Sequence, residues 1–205
     1  MAAQPVSPPV LRWEWRTFAP DLGDVKRRLP SLAHIKAEHS RETYIVCALV
    51  PHSAQVRFDE LDVRRLVQLD AQGLQQWDPV IKTTFPIAAE TAARLFGIWR
   101  LPLPGFERPH YSVTLFLEDV VARNRDLHVV EVEKTRYGFV YEGCAAELTQ
   151  VTVNGIPLES LSLEHEHESV LLGAMDDLGF VGTRNVSYAQ AIKDVLGLTM
   201  LPATV

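Results

Sequence analysis

The sequence predicts an α+β domain with mostly antiparallel strands and with helices packed outside them. Five segments alternate apolar and polar side chains or carry runs of β-branched residues, as half-buried strands do. The dipeptide Asn154-Gly155 separates the last two of these segments and is typical of a tight hairpin turn. Four further segments have the composition and the end residues of helices.

The predicted strands differ in how polar their exposed faces are. Residues two apart on a strand share a face. In the first strand this rule places Arg12, Glu14 and Arg16 together, opposite two tryptophans. In the third it places Lys134 beside Arg136. The predicted strands span residues 12–18, 43–49, 128–141, 147–153 and 160–167.

The predicted helices span residues 87–99, 112–122, 169–179 and 187–197. The last three begin with a serine, which caps helix N-termini, and the last two end in glycine. The proline-rich segment 100–110 predicts a loop. The local pattern of residues 59–74 is compatible with either a helix or a hairpin.

The composition is that of a single globular domain. We expect residues 1–10, with three prolines, to be a disordered lead-in and residues 11–205 to form one domain. A formal charge of -6 argues against a general nucleic-acid binder. Residues 1–10 lack the basic segment and apolar core of a secretory signal, no apolar run is long enough to cross a membrane, and we do not expect two cysteines to form a disulfide framework. We therefore expect a cytoplasmic protein, and whether it forms a homodimer stays open.

Several common catalytic and nucleotide-binding motifs are absent from the sequence. It has no glycine-rich phosphate loop, no dinucleotide fingerprint, no HExxH and no paired CxxC. No serine or cysteine has the context of a nucleophile. The remaining chemical signal is charge of both signs on the strands.

The segment SLEHEHES, residues 162–169, has the densest charge. Glu164 and Glu166 share a strand face with Cα atoms roughly 6.5 to 7 Å apart, so both could bind one hard cation. The alternative is a solvated outer face, which is common on antiparallel strands. His165 and His167 lie on the opposite face, and the sequence nearby lacks the further ligands that zinc needs.

Basic residues at strand spacing suggest a binding role for the charged faces together. Many charges can point into one closed barrel only if its interior is wet and the charges have partners. Bases beside a carboxylate cluster would suit a polyphosphate that carries a divalent metal. The bases are Arg57, Arg64, Lys82, Lys134 and Arg136.

In type and order, these residues resemble the motifs of the CYTH, or triphosphate tunnel metalloenzyme, superfamily, and of its divergent bacterial members in particular. That family has a first strand of the type ExExK, later strands with spaced bases, a KxR strand and a late ExE strand. The order agrees over residues 12–168, and the segment 187–197 looks like the family's terminal helix. The counterparts here are Glu14, Arg16, Arg57, Arg64, Lys82, Lys134, Arg136, Glu147, Glu164 and Glu166.

The resemblance implies an eight-stranded antiparallel barrel that forms a tunnel, with helices outside, and it favours a hairpin over 59–74. It implies Mg²⁺ or Mn²⁺ as the cofactor. One departure is plain, because Arg12 stands where the family's first glutamate is expected and Arg16 stands where its lysine is. The implied metal ligands are Glu14, Glu147, Glu164 and Glu166, of which Glu164 and Glu166 are also the catalytic carboxylates. The implied substrate-binding residues are Arg16, Arg57, Arg64, Lys82, Lys134 and Arg136.

Three functions follow from the resemblance. The first is metal-dependent hydrolysis of inorganic triphosphate or of another triphosphate-containing substrate. The second is a non-catalytic module that binds polyphosphate or nucleotides, which Arg12 favours because it replaces a carboxylate with a cation. The third is an adenylate cyclase, since the superfamily includes such enzymes, but no feature of the sequence points to adenine recognition.

Overall fold

The computed structural model describes residues 11–198. The expected lead-in, residues 1–10, lies outside the described residues, as do residues 199–205.

Eight antiparallel strands close into a barrel, which confirms the predicted fold class. Around the barrel the order is β1, β10, β9, β8, β2, β3, β4 and β5, and β5 pairs again with β1. Two short strands, β6 (Ile87–Ala88) and β7 (His110–Tyr111), pair separately. The barrel strands are β1 (Trp13–Ala19), β2 (Glu38–Cys47), β3 (Ser53–Arg57), β4 (Glu60–Leu69), β5 (Gln75–Thr84), β8 (Leu127–Tyr141), β9 (Cys144–Val153) and β10 (Ile156–His165).

Tight turns connect most neighbouring strands. Asn154 and Gly155, with φ of 47° and 82°, join β9 to β10, so the predicted hairpin is confirmed. The helix alternative for residues 59–74 is wrong. The segment forms β4, which makes one hairpin with β3 and another with β5. A turn follows β4, in which the Asp70 carboxylate accepts the backbone N–H of Leu74 at 2.6 Å.

All four predicted helices are present. They are α1 (Ala89–Ile98), α2 (Val113–Leu115, which continues as a π-helix over Phe116–Val121), α3 (Glu168–Leu178) and α4 (Tyr188–Val195). Ser112 and Ser187 cap α2 and α4 as predicted. Ser169 does not cap α3, because the helix starts one residue earlier and His167 occupies the cap position. The predicted strand 160–167 therefore ends at His165, where the chain turns into α3.

Two apolar clusters cover the outside of the barrel. Helices α1 and α2 pack on outward-facing residues of β2 to β5, with Ile45, Leu61 and Val63 in the contact. Helix α3 packs on β1, β9 and β10, where Trp15 and Leu163 are fully buried. Among the described residues, no helix combines the length and the apolar character that crossing a bilayer requires.

Helix α4 is the exception to the prediction that helices pack outside. Its Ala189 and Ile192 belong to a cluster with Val46, Val132 and Val153, which alternate with the outward-facing residues of their strands. An outer helix buries one stripe, but α4 buries five consecutive residues from 189 to 193. The helix therefore packs against the inner face of the barrel and closes it at one end.

Candidate functional site

A cavity of about 450 Å³ lies inside the barrel and is lined by charges of both signs. An eight-stranded barrel is just wide enough to hold one small ligand. All six predicted cations line this cavity, and they come from β1, β3, β4, β5 and β8. Its acidic lining residues are Glu14, Asp62, Glu147 and Glu164.

Strand alternation explains why these residues point inward. On β1, Trp13 and Trp15 pack outward under α3, so Glu14 and Arg16 face the cavity. The same alternation on β10 sends Leu161 and Leu163 outward and Glu164 inward. Because the apolar residues of each strand pack in the outer core, the charged residues that alternate with them point into the barrel.

Arg16 is buried between two carboxylates. Its Nε donates to Glu14 at 3.2 Å, and its Nη1 lies 3.5 Å from Glu147 and 3.2 Å from the Ser160 hydroxyl. The guanidinium stacks on the Tyr188 ring, 4.7 Å from the centroid. Burial acts to lower the pKa of Arg16, but Tyr188, Glu14 and Glu147 together raise it above its usual range, so Arg16 keeps its charge.

Glu42, which the sequence analysis did not single out, binds three of the cations. Its side chain is fully buried and receives Lys134 Nζ at 2.7 Å, a close contact from Arg136, and the Ser40 hydroxyl at 2.9 Å. Arg57 lies 3.7 Å away. Burial acts to raise the pKa of Glu42, but Lys134 and Arg136 hold it below the usual value, so Glu42 is ionised.

Lys134 has little capacity left for a ligand. Besides Glu42, it donates to the Tyr44 hydroxyl at 2.8 Å, and its Nζ lies 3.7 Å from the centroid of the Tyr188 ring. Burial lowers the pKa of Lys134 to about 8 in spite of Glu42. Lys134 therefore stabilises the cavity wall through Glu42 and Tyr44, and its role in binding substrate stays a prediction.

The six cations fall into two groups by exposure. Arg16, Lys134 and Arg136, called here the buried cations, have side chains only 8%, 4% and 13% exposed. The other three, called the exposed cations, have side chains 37% to 64% exposed. Their nearest carboxylates are 3.2 to 3.7 Å away, so water and ligands can reach them. The exposed cations are Arg57, Arg64 and Lys82.

The structure brings three of the four predicted metal ligands to the cavity. Glu14, Glu147 and Glu164 line it, but Glu166 is exposed in the bend between β10 and α3 and does not. The alternation that would have turned Glu166 inward ends with the strand at His165. Arg12 precedes β1 and is exposed, so it adds no charge to the cavity lining.

The carboxylates of the cavity fit a divalent cation only in part. Within residues 11–198, no three His, Cys, Asp or Glu side chains are close enough together to hold a metal ion. However, Mg²⁺ is commonly held by one or two carboxylates and by phosphate oxygens. Glu164 has no hydrogen bond or ion pair within the described range, and burial and Glu14 raise its pKa. Glu164 with Glu14 therefore fits a cation that arrives with a phosphate ligand, and a preformed protein cage does not fit.

A predicted strand that starts too late is the reason why the sequence does not indicate Glu42 as a site residue. The predicted strand began at residue 43, whereas β2 begins at Glu38. Extending the alternation backward would have placed Ser40, Glu42 and Tyr44 on one face. No sequence pattern indicates Tyr188 as a site residue, because only the position of α4 brings its ring to the cavity.

Comparisons with known proteins give similar folds at low identity. No protein-family model matches the chain, and no curated protein sequence does either. A proposed adenylate cyclase from Bacillus halodurans is 15% identical over 96% of both chains, with a TM-score of 0.46. A proposed adenylyl cyclase from Hippeastrum, described with a dominant triphosphatase activity, is 12% identical over 93% of this chain and 98% of its own, with a TM-score of 0.48. At these values the function has to be argued from the cavity itself.

Proposed function

We propose that the barrel binds the triphosphate group of a small molecule or inorganic triphosphate, and hydrolyses it together with Mg²⁺ or Mn²⁺. The observation that carries this proposal is the convergence of six cationic side chains from five strands on one cavity. Arginine and lysine in a confined site are the groups that bind phosphate oxygens most strongly.

The exposed cations are the ones that first meet a ligand. Arg57, Arg64 and Lys82 lie on adjacent strands β3, β4 and β5 and have only loose carboxylate partners. Arg64 can exchange Glu14 for a phosphate oxygen at little cost, because a partly exposed ion pair at 3.7 Å contributes little to stability, and Lys82, 64% exposed and paired with Glu60 at 3.2 Å, can do the same. The buried cations lie deeper in the cavity wall, and their positive charge also attracts the phosphate.

Hydrolysis requires a water molecule in line with the terminal phosphorus. The water oxygen forms the new P–O bond while the bridging P–O bond breaks. The electron pair of the broken bond leaves with pyrophosphate. Glu164 has no protein partner among the described residues, so its oxygens are free to orient this water and accept its proton. A bound divalent cation would neutralise the charge that develops on the phosphate oxygens.

Phosphate release from tripolyphosphate, with Mg²⁺, with Mn²⁺ and with a chelator, tests this proposal. We expect release only with a divalent cation, and we expect Glu164→Gln to abolish it while Glu166→Gln leaves it unchanged. Absence of metal-dependent release from tripolyphosphate and from nucleoside triphosphates would show that the protein is not a triphosphatase.

A second candidate function is binding without hydrolysis. The observation in its favour is that Arg16 already lies between Glu14 and Glu147 and neutralises two carboxylates that a metal would need. This candidate predicts that tripolyphosphate binds equally well with and without Mg²⁺ and is recovered intact. A calorimetric titration followed by chromatography of the ligand separates the two functions.

A further inference from the structure

Glu42 occupies a particular place along the tunnel. It shares the inner face of β2 with Tyr44 and Val46. Val46 belongs to the apolar cluster closed by α4, whereas Arg57 and Arg136 line the wet cavity. Tyr44 still lines the cavity and Val46 does not, so the boundary between the wet and the apolar part of the barrel lies between them, and Glu42 is buried in the wall on the wet side of it.

The contacts of Glu42 determine which cations remain available to a ligand. One carboxylate oxygen accepts from Arg136 and from the Ser40 hydroxyl, and the other accepts from Lys134 at 2.7 Å. A buried pair this close is held firmly, because separating it would leave charges without partners in a poorly hydrated site. Lys134 and Arg136 thus line the cavity, but Lys134 Nζ and Arg136 Nη2 are held by Glu42.

We propose that Glu42 is a specificity-determining residue that ends the phosphate-binding part of the tunnel, so that the protein binds a short terminal polyphosphate and gains no affinity from further phosphates. This inference rests on the proposed function, because it assumes that the tunnel binds phosphates. A phosphate that advances beyond the exposed cations finds Lys134 and Arg136 already engaged by Glu42, whose negative charge cancels part of theirs, so it gains no charged hydrogen bond there. Helix α4 closes the barrel beyond that point, so a chain cannot pass through.

The test compares the affinities of tripolyphosphate and tetrapolyphosphate by calorimetry in the presence of a chelator. In the wild type the fourth phosphate has no free cation to bind, so we expect the two dissociation constants to agree within about threefold. In Glu42→Gln the neutral amide releases Arg136, and we expect tetrapolyphosphate to bind about tenfold or more tightly than tripolyphosphate. Glu131→Gln is the matched control, since Glu131 pairs with Arg41 at 3.1 Å on the outer face.

The ratio of the two affinities is a measurement that a purely structural role of Glu42 would not change. If both proteins bind tripolyphosphate, and the ratio of the tetrapolyphosphate affinity to the tripolyphosphate affinity is the same in wild type and in Glu42→Gln, the inference is wrong and the proposed function stands. If only Glu42→Gln binds polyphosphate, the wild-type tunnel is not a phosphate site, and the proposed function and the inference both fail. If neither protein binds any polyphosphate, both fail. Should Glu42→Gln not fold, Glu42→Gln with Lys134→Met removes both members of the buried pair and must show the same raised ratio.

Discussion

Arg64 and Arg65 are neighbours on β4 whose side chains point in opposite directions, and they provide a sharp test of the tunnel. Arg64 lines the cavity and lies 3.7 Å from Glu14. Arg65 is on the outer face, 3.4 Å from Asp78. Their side chains are 42% and 49% exposed, so replacing either one by alanine removes the same charge from a comparably wet position.

The expected loss can be estimated from the surroundings of Arg64. A hydrogen bond to a charged group contributes about 1.5 to 3 kcal/mol, and partial exposure places Arg64 at the lower end of this range. A loss of about 1.5 kcal/mol corresponds to a roughly tenfold weaker affinity. We therefore expect Arg64→Ala to raise the dissociation constant for tripolyphosphate about tenfold, and Arg65→Ala to change it less than about twofold.

Calorimetric titration of the two variants and the wild type, at low and at physiological salt, is the appropriate assay. Thermal unfolding of each variant serves as the check that the barrel is intact. Equal losses in Arg64→Ala and Arg65→Ala would refute the reasoning, because general charge attraction would then explain the affinity. No loss in either variant would exclude Arg64 as a phosphate ligand.

Three further predictions concern stability. Burial lowers the pKa of Lys193 to about 8, below its value in the unfolded chain, so its folded form binds fewer protons between pH 8 and 10. We expect Lys193→Met to unfold at a higher temperature than the wild type at pH 7, with an advantage that shrinks as the pH rises to 10; a constant difference would contradict this. Leu163→Ala, in the fully buried contact with α3, should cost about 2 to 5 kcal/mol in urea unfolding, whereas Val140→Ala, at a residue 72% exposed, should cost under about 0.5 kcal/mol. Gly155→Ala should cost about 1 kcal/mol by the same measurement, because its φ of 82° disfavours a side chain.

The inward direction of most site residues was predictable because alternation is a local property. Once Trp15 and Leu163 belong to an outer core, Glu14, Arg16 and Glu164 have to face the interior. The identity of their partners is not local. Ser40 pairs with Lys134 across β2 and β8, nearly a hundred residues apart, and this register brings Glu42 to the lysine. No pattern within either strand contains that information.

The exposed position of Glu166 has a different cause. The alternation of SLEHEHES continues past the end of the strand, so the sequence pattern alone extends β10 by two residues. The helix that follows determines where β10 ends, because His167 occupies the N-cap position of α3. Competition between adjacent elements therefore moves Glu166 to the surface and leaves Glu164 as the last carboxylate of β10 inside the barrel.

Helix α4 links the closed end of the barrel to the charges of the cavity. The segment before it is fixed to β1, because Asn185 accepts the N–H of Arg16 at 2.9 Å and Val186 donates to the Arg16 carbonyl at 2.8 Å. Tyr188 then lies over both Arg16 and Lys134. A displacement of α4 would therefore remove the ring that supports two buried cations, in addition to opening the apolar end. The arrangement of the charges in the cavity therefore depends on the position of this helix.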